Sequence, residues 1–165
     1  MSIKTEIQAY LTFKLEQELF AINVGKVLEI LEMKPITRIP GAPEHMCGVI
    51  NLRGNILPVI DTNAKFSMQP AQFTIDTCII VLSVQTEKEP VLVGAIVDAV
   101  QKVIDIPAEQ ILPPVTMGVV YREDFVAGIG RVDDDFIMVL NIDKVFAIED
   151  TAILSENKQK EFKHE

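Results

Sequence analysis

Tryptophan is absent and tyrosine occurs only twice in 165 residues, so large aromatics cannot dominate the core. Valine and isoleucine are abundant, and branched side chains of that kind pack well on pleated surfaces, so a mostly β structure is expected. Positive charge is also scarce. Fifteen Lys and Arg face 24 Asp and Glu, a formal charge of -9, which repels nucleic acid and anionic membranes unless the cations gather on one face. They do not gather: Lys26, Lys34, Arg38 and Arg53 are scattered, and Lys158, Lys160 and Lys163 alternate with Glu156, Glu161 and Glu165. That charged tail, residues 151–165, reads as a fraying, solvated helix.

Catalytic and ligating residues are equally sparse. Cys47 and Cys78 have no CxxC spacing, and His45 near Cys47 does not complete a metal quartet, so buried reduced thiols are expected and no metal. His45 and His164 are the only imidazoles, no nucleophile elbow surrounds them, and no glycine-rich phosphate loop is present. An enzyme reading therefore has nothing specific behind it, and no cofactor is implied. Asp133, Asp134 and Asp135 form an acidic run, but successive strand residues point alternately, so a solvated hairpin turn is the better reading. The longest apolar stretches, such as residues 78–82, are too short to span a bilayer, and residues 1–8 lack a signal-peptide core, so a cytoplasmic setting without membrane insertion is expected.

What is present is 48% hydrophobic residues, enough for one packed domain. Leu11, Phe13 and Leu15 alternate with polar neighbours, as do Phe20, Ile22 and Val24, which predicts a hairpin. From Asn23 the period changes. Asn23 can cap a helix whose face carries Val24, Val27, Leu28 and Leu31, and Pro35 ends it. After a loop at Pro40, Gly41 and Pro43, residues 49–52 and 56–60 read as strands joined through Arg53, Gly54 and Asn55, with Gly54 free to take positive φ. Pro58 lacks a backbone donor and predicts a strand at an edge or interrupted there.

The order then repeats. Residues 78–84 and 91–97 flank a polar turn, residues 98–106 resemble the earlier helix-like stretch, Pro107, Pro113 and Pro114 supply the loop, and a last strand pair ends at Asp143. Two small β modules are implied, closed into barrels because open sheets leave unpaired edges. Packed together they share a core, and the seam between them is a natural groove for a partner. Residues 67–76 mark the weak boundary.

Several motifs are specific. The runs 20–30, 37–40 and 48–61, with the core Asn51-Leu52-Arg53-Gly54, then 93–100, 108–111 and 137–144, closely resemble the CheW family across residues 8–147. The resemblance implies two intertwined five-stranded SH3-like barrels in a single domain over residues 8–150. The first barrel is expected over roughly 10–66 with a possible C-terminal contribution, the second over roughly 77–143. It further implies a non-catalytic adaptor that links the cytoplasmic tip of a chemoreceptor (methyl-accepting chemotaxis protein) to the regulatory domain of the histidine kinase CheA, recruited to membrane-associated receptor arrays. Motif by motif, the family's receptor-facing positions correspond to Val27, Glu29, Gly48, Arg53 and Val103. Asn51, Gly54, Pro58 and Gly94 are expected to shape turns and strands. Thr62 and Asn63 depart from the usual family pattern after Asp61, and Pro90 lengthens a turn, so contacts made by the segment after Asp61 are the part the resemblance does not carry.

Physical chemistry supports these roles unequally. A guanidinium on a rigid turn can reach carbonyls or carboxylates on a helical hairpin tip, and an apolar anchor rimmed by charge is how interface hot spots are built. Val27 and Val103 are equally compatible with core packing, and Gly48 fits a backbone requirement better than a contact. The alternatives are an adaptor of a chemosensory pathway controlling surface motility or gene expression, or a small-molecule sensor using the inter-module groove.

Overall fold

The computed structural model describes residues 7–114 and 125–147; the expected helical tail lies outside them. The first hairpin pairs β1 (Ile7–Leu15) with β2 (Glu18–Asn23). After a 3-10 turn at Val24–Lys26 come β3 (Val27–Glu32), β4 (Met46–Leu52), β5 (Asn55–Asp61) and the one-turn helix α1 (Thr62–Lys65). The second half supplies β6 (Cys78–Val84), β7 (Val91–Val97), β8 (Ala99–Pro107), a 3-10 turn at Ala108–Gln110, β9 (Ile111–Leu112), β10 (Val126–Val132), β11 (Asp135–Leu140) and α2 (Ile142–Val145).

Two expected helical stretches are strands. Asn23 does cap, its side chain accepting from the Gly25 N–H at 2.8 Å, but what it caps is a single turn. Beyond it β3 alternates half-buried and exposed residues. A bulge between Val27 and Glu29 in the pairing with β6 shifts the register by one residue. The apolar spacing over 24–31 imitates a helical stripe because Val24 and Leu28 are apolar yet exposed, so exposed and half-buried positions alike carry apolar side chains. Residues 98–106 mislead in the same way, since Val103 is apolar yet exposed, and β8 pairs with β1 across an irregularity of its own.

The strands form two sheets, ordered β8-β1-β2-β11-β10-β9 and β3-β6-β7-β5-β4. The repeat seen in the sequence is present, with an exchange. β3 pairs antiparallel with β6 and β5 runs parallel to β7; in the other sheet β8 pairs antiparallel with β1 and β11 runs parallel to β2. Each sheet therefore takes a hairpin from one repeat and the remaining strands from the other. This corrects the expected division at 10–66 and 77–143: one sheet spans 27–97 and the other joins 7–23 to 99–140, because each hairpin finds its open edges in the opposite repeat.

Both sheets curl into SH3-like barrels by the same device. The strap that follows β3 reaches the far edge of its sheet, where Thr37 and Val49 exchange two backbone hydrogen bonds of 2.9 and 2.8 Å. In the other sheet β9 follows β8 and pairs with β10. Pro58 fits this arrangement. Its partner Val49 has both backbone groups on Thr37, so the missing Pro58 donor falls on the β7 side, where pairing starts only at Val59.

Residues alternate between two burial environments, so most strands are apolar on both faces. Ile79 and Val81 fill one barrel with Leu57, Val59 and Ile96, while Tyr10, Ile106, Ile137 and Val139 fill the other. Ile80, Leu82 and Val84 point instead into the seam, against Leu11, Phe13, Phe20, Ile22 and Phe146. Each such side chain contributes about 1.5 to 3 kcal/mol on burial, and the seam cluster is the largest of the three.

Two polar clasps flank the seam. Asp98 accepts from the Glu16 N–H at 2.6 Å and from Asn63 Nδ2 at 3.0 Å, tying the β1–β2 turn to α1. Asp143 accepts from the Gln85 N–H at 2.8 Å and pairs with Lys26 Nζ at 2.9 Å, tying α2 to the other barrel. The segment after Asp61, where the chain departs from the family pattern, thus works internally.

Candidate functional site

The β4–β5 connection is a two-residue turn between Leu52 and Asn55. Arg53 has φ 50° and Gly54 φ 87°; two successive positive values match the turn type whose twist suits a hairpin. Gly54 takes that geometry freely, whereas Arg53 pays a small strain that the flanking strands and a 2.6 Å bond from the Gly54 N–H to Asn51 Oδ1 hold in place. The Arg53 side chain is two-thirds exposed, at 68%.

Its guanidinium forms a fork on Glu29: Nη1 donates to Oε1 at 3.2 Å and Nη2 donates to Oε2. Glu29 lies on β3 and Arg53 beyond β4, the two ends of the sheet order, so barrel closure is what brings them together. The Arg53 hydrogen bond holds the Glu29 carboxyl below its ordinary range, and the carboxylate in turn raises the guanidinium.

The other expected contact residues are placed less uniformly. Val27 is half-buried against the seam cluster and pairs with Leu82; Val103, 56% exposed, pairs with Leu11 on β1. Leu82 and Leu11 both belong to the seam cluster, so Val27 and Val103 sit on the seam-facing side of the edge strands of the two barrels. Gly48 is a correction. It is buried at a bulge in β4, and a Cβ there would meet the Thr37 carbonyl oxygen at 2.1 Å, so the strap covers it and it presents nothing to a partner. Gly94 is likewise internal, its missing side chain leaving space for Ile79 and Leu57.

Sequence reasoning missed several exposed apolar residues, three of them beside the turns and the fork. Leu28, 55% exposed, lies between Val27 and Glu29 but was assigned to a buried helical face; strand alternation is the signal that would have found it. Ile56 and Phe136, 65% and 54% exposed, occupy matching positions two residues beyond the β4–β5 and β10–β11 turns. Asp133 and Asp134 form the second of these turns and Asp135 opens β11, all three exposed, and the described residues contain no cluster able to hold a metal. Cys47 and Cys78 are free and half-buried; burial pushes the Cys47 thiol up to about 11 and raises Cys78 as well, so both stay protonated near neutrality. No helix among the described residues is long and apolar enough to cross a membrane.

Comparison with known proteins agrees with this architecture. A CheW-like domain family model matches residues 9–150. The chain is 33% identical over 147 residues to the chemotaxis protein CheW of Klebsiella aerogenes, covering 89% of this chain and 86% of the relative. It is 31% identical over 140 residues to that of Rhizobium meliloti, covering 85% and 88%. The crystal structure of the scaffolding protein TtCheW from Thermoanaerobacter tengcongensis superposes with a TM-score of 0.77 at 33% identity, over 88% of this chain and 96% of that one. With the fold, the swapped hairpins and the domain match in agreement, the chain belongs to the CheW family.

Proposed function

We propose that this chain is a non-catalytic coupling protein of chemotaxis, holding a chemoreceptor's cytoplasmic tip on one face and the regulatory domain of the kinase CheA on another. The observation that carries the receptor face is the exposed Arg53–Glu29 fork on a rigid turn, with Val27 and Leu28 beside it on β3. A bidentate guanidinium that is already oriented loses little side-chain freedom when it engages a partner carboxylate or carbonyl. Leu28 supplies the apolar contact next to the charge, the usual arrangement of a hot spot. Val103 belongs to the same reading as a contact from the other barrel, and Gly48 supports it only by fixing the strap.

A coupling protein needs a second surface. Ile56 and Phe136 provide matching exposed apolar points on the two barrels. The kinase is assigned to these points, and lateral contacts of the same kind would join receptor units into an array at the membrane.

Co-sedimentation of the purified protein with receptor-containing membranes and kinase tests the reading. Arg53→Glu is expected to remove the chain from the membrane pellet while leaving its melting temperature within about 1 °C, as for a solvated surface position. Retention of Arg53→Glu at the wild-type level, or failure of the wild type to bind either partner, overturns it.

A further inference from the structure

A polar side chain lines the barrel built from β1, β2 and β8–β11. Thr12 on β1 lies between Leu11 and Phe13, which belong to the seam cluster, so its own side chain enters the barrel beside its cross-strand partner Ala21, a member of that barrel's apolar cluster. It is 1% exposed. A hydroxyl buried in such a place is costly unless it is hydrogen-bonded. This one is used twice: it donates to the Lys102 carbonyl oxygen at 2.7 Å and accepts from the Lys102 N–H at 3.1 Å. A single side chain of β1 thus satisfies both backbone groups of one residue on β8, ninety positions away in the chain.

Lys102 lies where β8 carries one residue too many. Phe13 pairs with Val100 and Leu11 with Val103, so Gln101 and Lys102 together face the single residue Thr12, a β-bulge. The extra residue decides which side chains of β8 look toward the seam. Leu11 and Phe13 are two positions apart and share a face, whereas Val100 and Val103 are three apart and would lie on opposite faces of an unbroken strand. Both ends of this stretch are anchored, Val100 against the seam cluster and Ile104 against the barrel cluster opposite Tyr10. Between the anchors the bulge has two places to sit. At Gln101–Lys102 it leaves Val103 opposite Leu11; moved on by one residue, it would put Lys102 opposite Leu11 and make Val103 the residue left outside the ladder.

We propose that Thr12 is a positioning residue for the receptor face: by holding both backbone groups of Lys102, its hydroxyl fixes the bulge at Gln101–Lys102 and so selects Val103 over Lys102 as the side chain that β8 presents beside the seam. The proposal rests on the reading of Val103 as a receptor contact. The exchange matters chemically, because Val103 is 56% exposed and offers an apolar surface, while a lysine in its place sets a mobile, strongly hydrated cation where an apolar anchor is read. Thr12 is buried and acts only through the backbone of β8. Its hydroxyl is the working group. Valine has the same shape but neither donor nor acceptor, which strands the Lys102 N–H and carbonyl and removes the preference for this bulge; serine keeps both functions.

Three full-length variants test this, Thr12→Val, Thr12→Ser and Val103→Ser, each compared with the wild type well below its own melting temperature. In isotope-labelled protein, the nuclear Overhauser contact between the Val103 and Leu11 methyl groups and the slow amide exchange of Lys102 report the bulge with no partner present. Both are expected in the wild type and in Thr12→Ser, and both are expected to be lost in Thr12→Val. In co-sedimentation with receptor-containing membranes, Thr12→Val is expected to bind about tenfold more weakly, the scale of one lost interface contact, with Thr12→Ser at the wild-type level. A Thr12→Val chain that keeps the Val103–Leu11 contact, one that binds at the wild-type level per folded molecule, or a Thr12→Ser chain as impaired as Thr12→Val overturns the proposal. Val103→Ser separates the two layers. If it weakens binding while Thr12→Val does not, the positioning role fails alone; if it binds as the wild type does, the receptor reading of Val103 fails and the positioning role falls with it.

Discussion

Replacing Gly48 by alanine places a methyl carbon 2.1 Å from the Thr37 carbonyl oxygen and 2.8 Å from its carbon, at a backbone φ of 146°. Neither obstacle is a flexible side chain. Thr37 is fixed by two backbone hydrogen bonds to Val49, the residue next to Gly48, so relief requires lifting the strap off β4 and opening the barrel at its closing point. An unfavourable φ costs about 1 to 3 kcal/mol and overpacking against rigid structure about 1 to 3 kcal/mol more, so a loss of about 2 to 6 kcal/mol is expected. For a chain of this length that is a fall in melting temperature of about 4 to 24 °C. Differential scanning calorimetry measures it, and receptor co-sedimentation well below the melting point gives the second readout. Because Gly48 lies under the strap and Arg53 stays on its own turn, receptor binding per folded molecule should change less than threefold. A melting temperature within about 1 °C of wild type, or lost binding at unchanged stability, would refute the placement of Gly48 as an internal residue.

Three further expectations follow from the same geometry. If Glu29 orients Arg53, the paired exchange Glu29→Arg with Arg53→Glu should keep the wild-type melting temperature yet bind receptor no better than Arg53→Glu alone; recovery of binding would show that the partner reads only the presence of a pair. Since the Glu29 carboxyl is held below its ordinary range, the fork is complete at neutral pH and is lost as the pH falls through that lowered value, so receptor binding should weaken only under acid conditions. Cys47, raised to about 11 by burial and by the nearby Asp61 charge, should react with iodoacetamide at pH 8 on the order of 100-fold more slowly than in the urea-unfolded chain. Its ionisation opposes folding, so stability from this group is present below the ordinary thiol value and is lost as pH rises toward 11.

How much of this was readable in advance depended on whether a signal was local. Hairpin alternation at Leu11, Phe13 and Leu15 and the Arg53–Gly54 turn are set by nearest-neighbour backbone chemistry, and the residues declare them, whereas β5 runs unbroken through Pro58 inside its sheet because the missing donor falls where β7 does not yet pair. The strand β3 reads as a helix because its exposed face carries Leu28 beside the half-buried Val27 and Leu31, and only the sheet shows that Leu28 faces out. Gly48 could be suspected of a backbone role, but its cause, the Thr37 carbonyl eleven positions earlier in the chain, is a tertiary contact that no local pattern encodes. The Glu29–Arg53 fork is of the same kind: each residue could be marked separately, while their meeting follows only from the two ends of a sheet closing on each other.

The exchange of hairpins bears on what the molecule can do. Were each repeat to form its own barrel, the two could rock about the linker, and a receptor bound at one would be poorly coupled to a kinase bound at the other. Here β6 and β7 complete the barrel begun by β3–β5, and β1 and β2 complete the barrel of β8–β11, so the chain crosses between barrels repeatedly and neither closes without the other. The seam cluster and the Asp98 and Asp143 clasps then fix their relative angle. A fragment ending at residue 76 keeps β1–β5 but loses β6 and β7 from one barrel and β8–β11 from the other. It should therefore show no cooperative thermal transition, even though it contains a full repeat. A cooperative melt from that fragment would mean that a repeat can close on itself, and the two docking faces would then sit on bodies free to move apart.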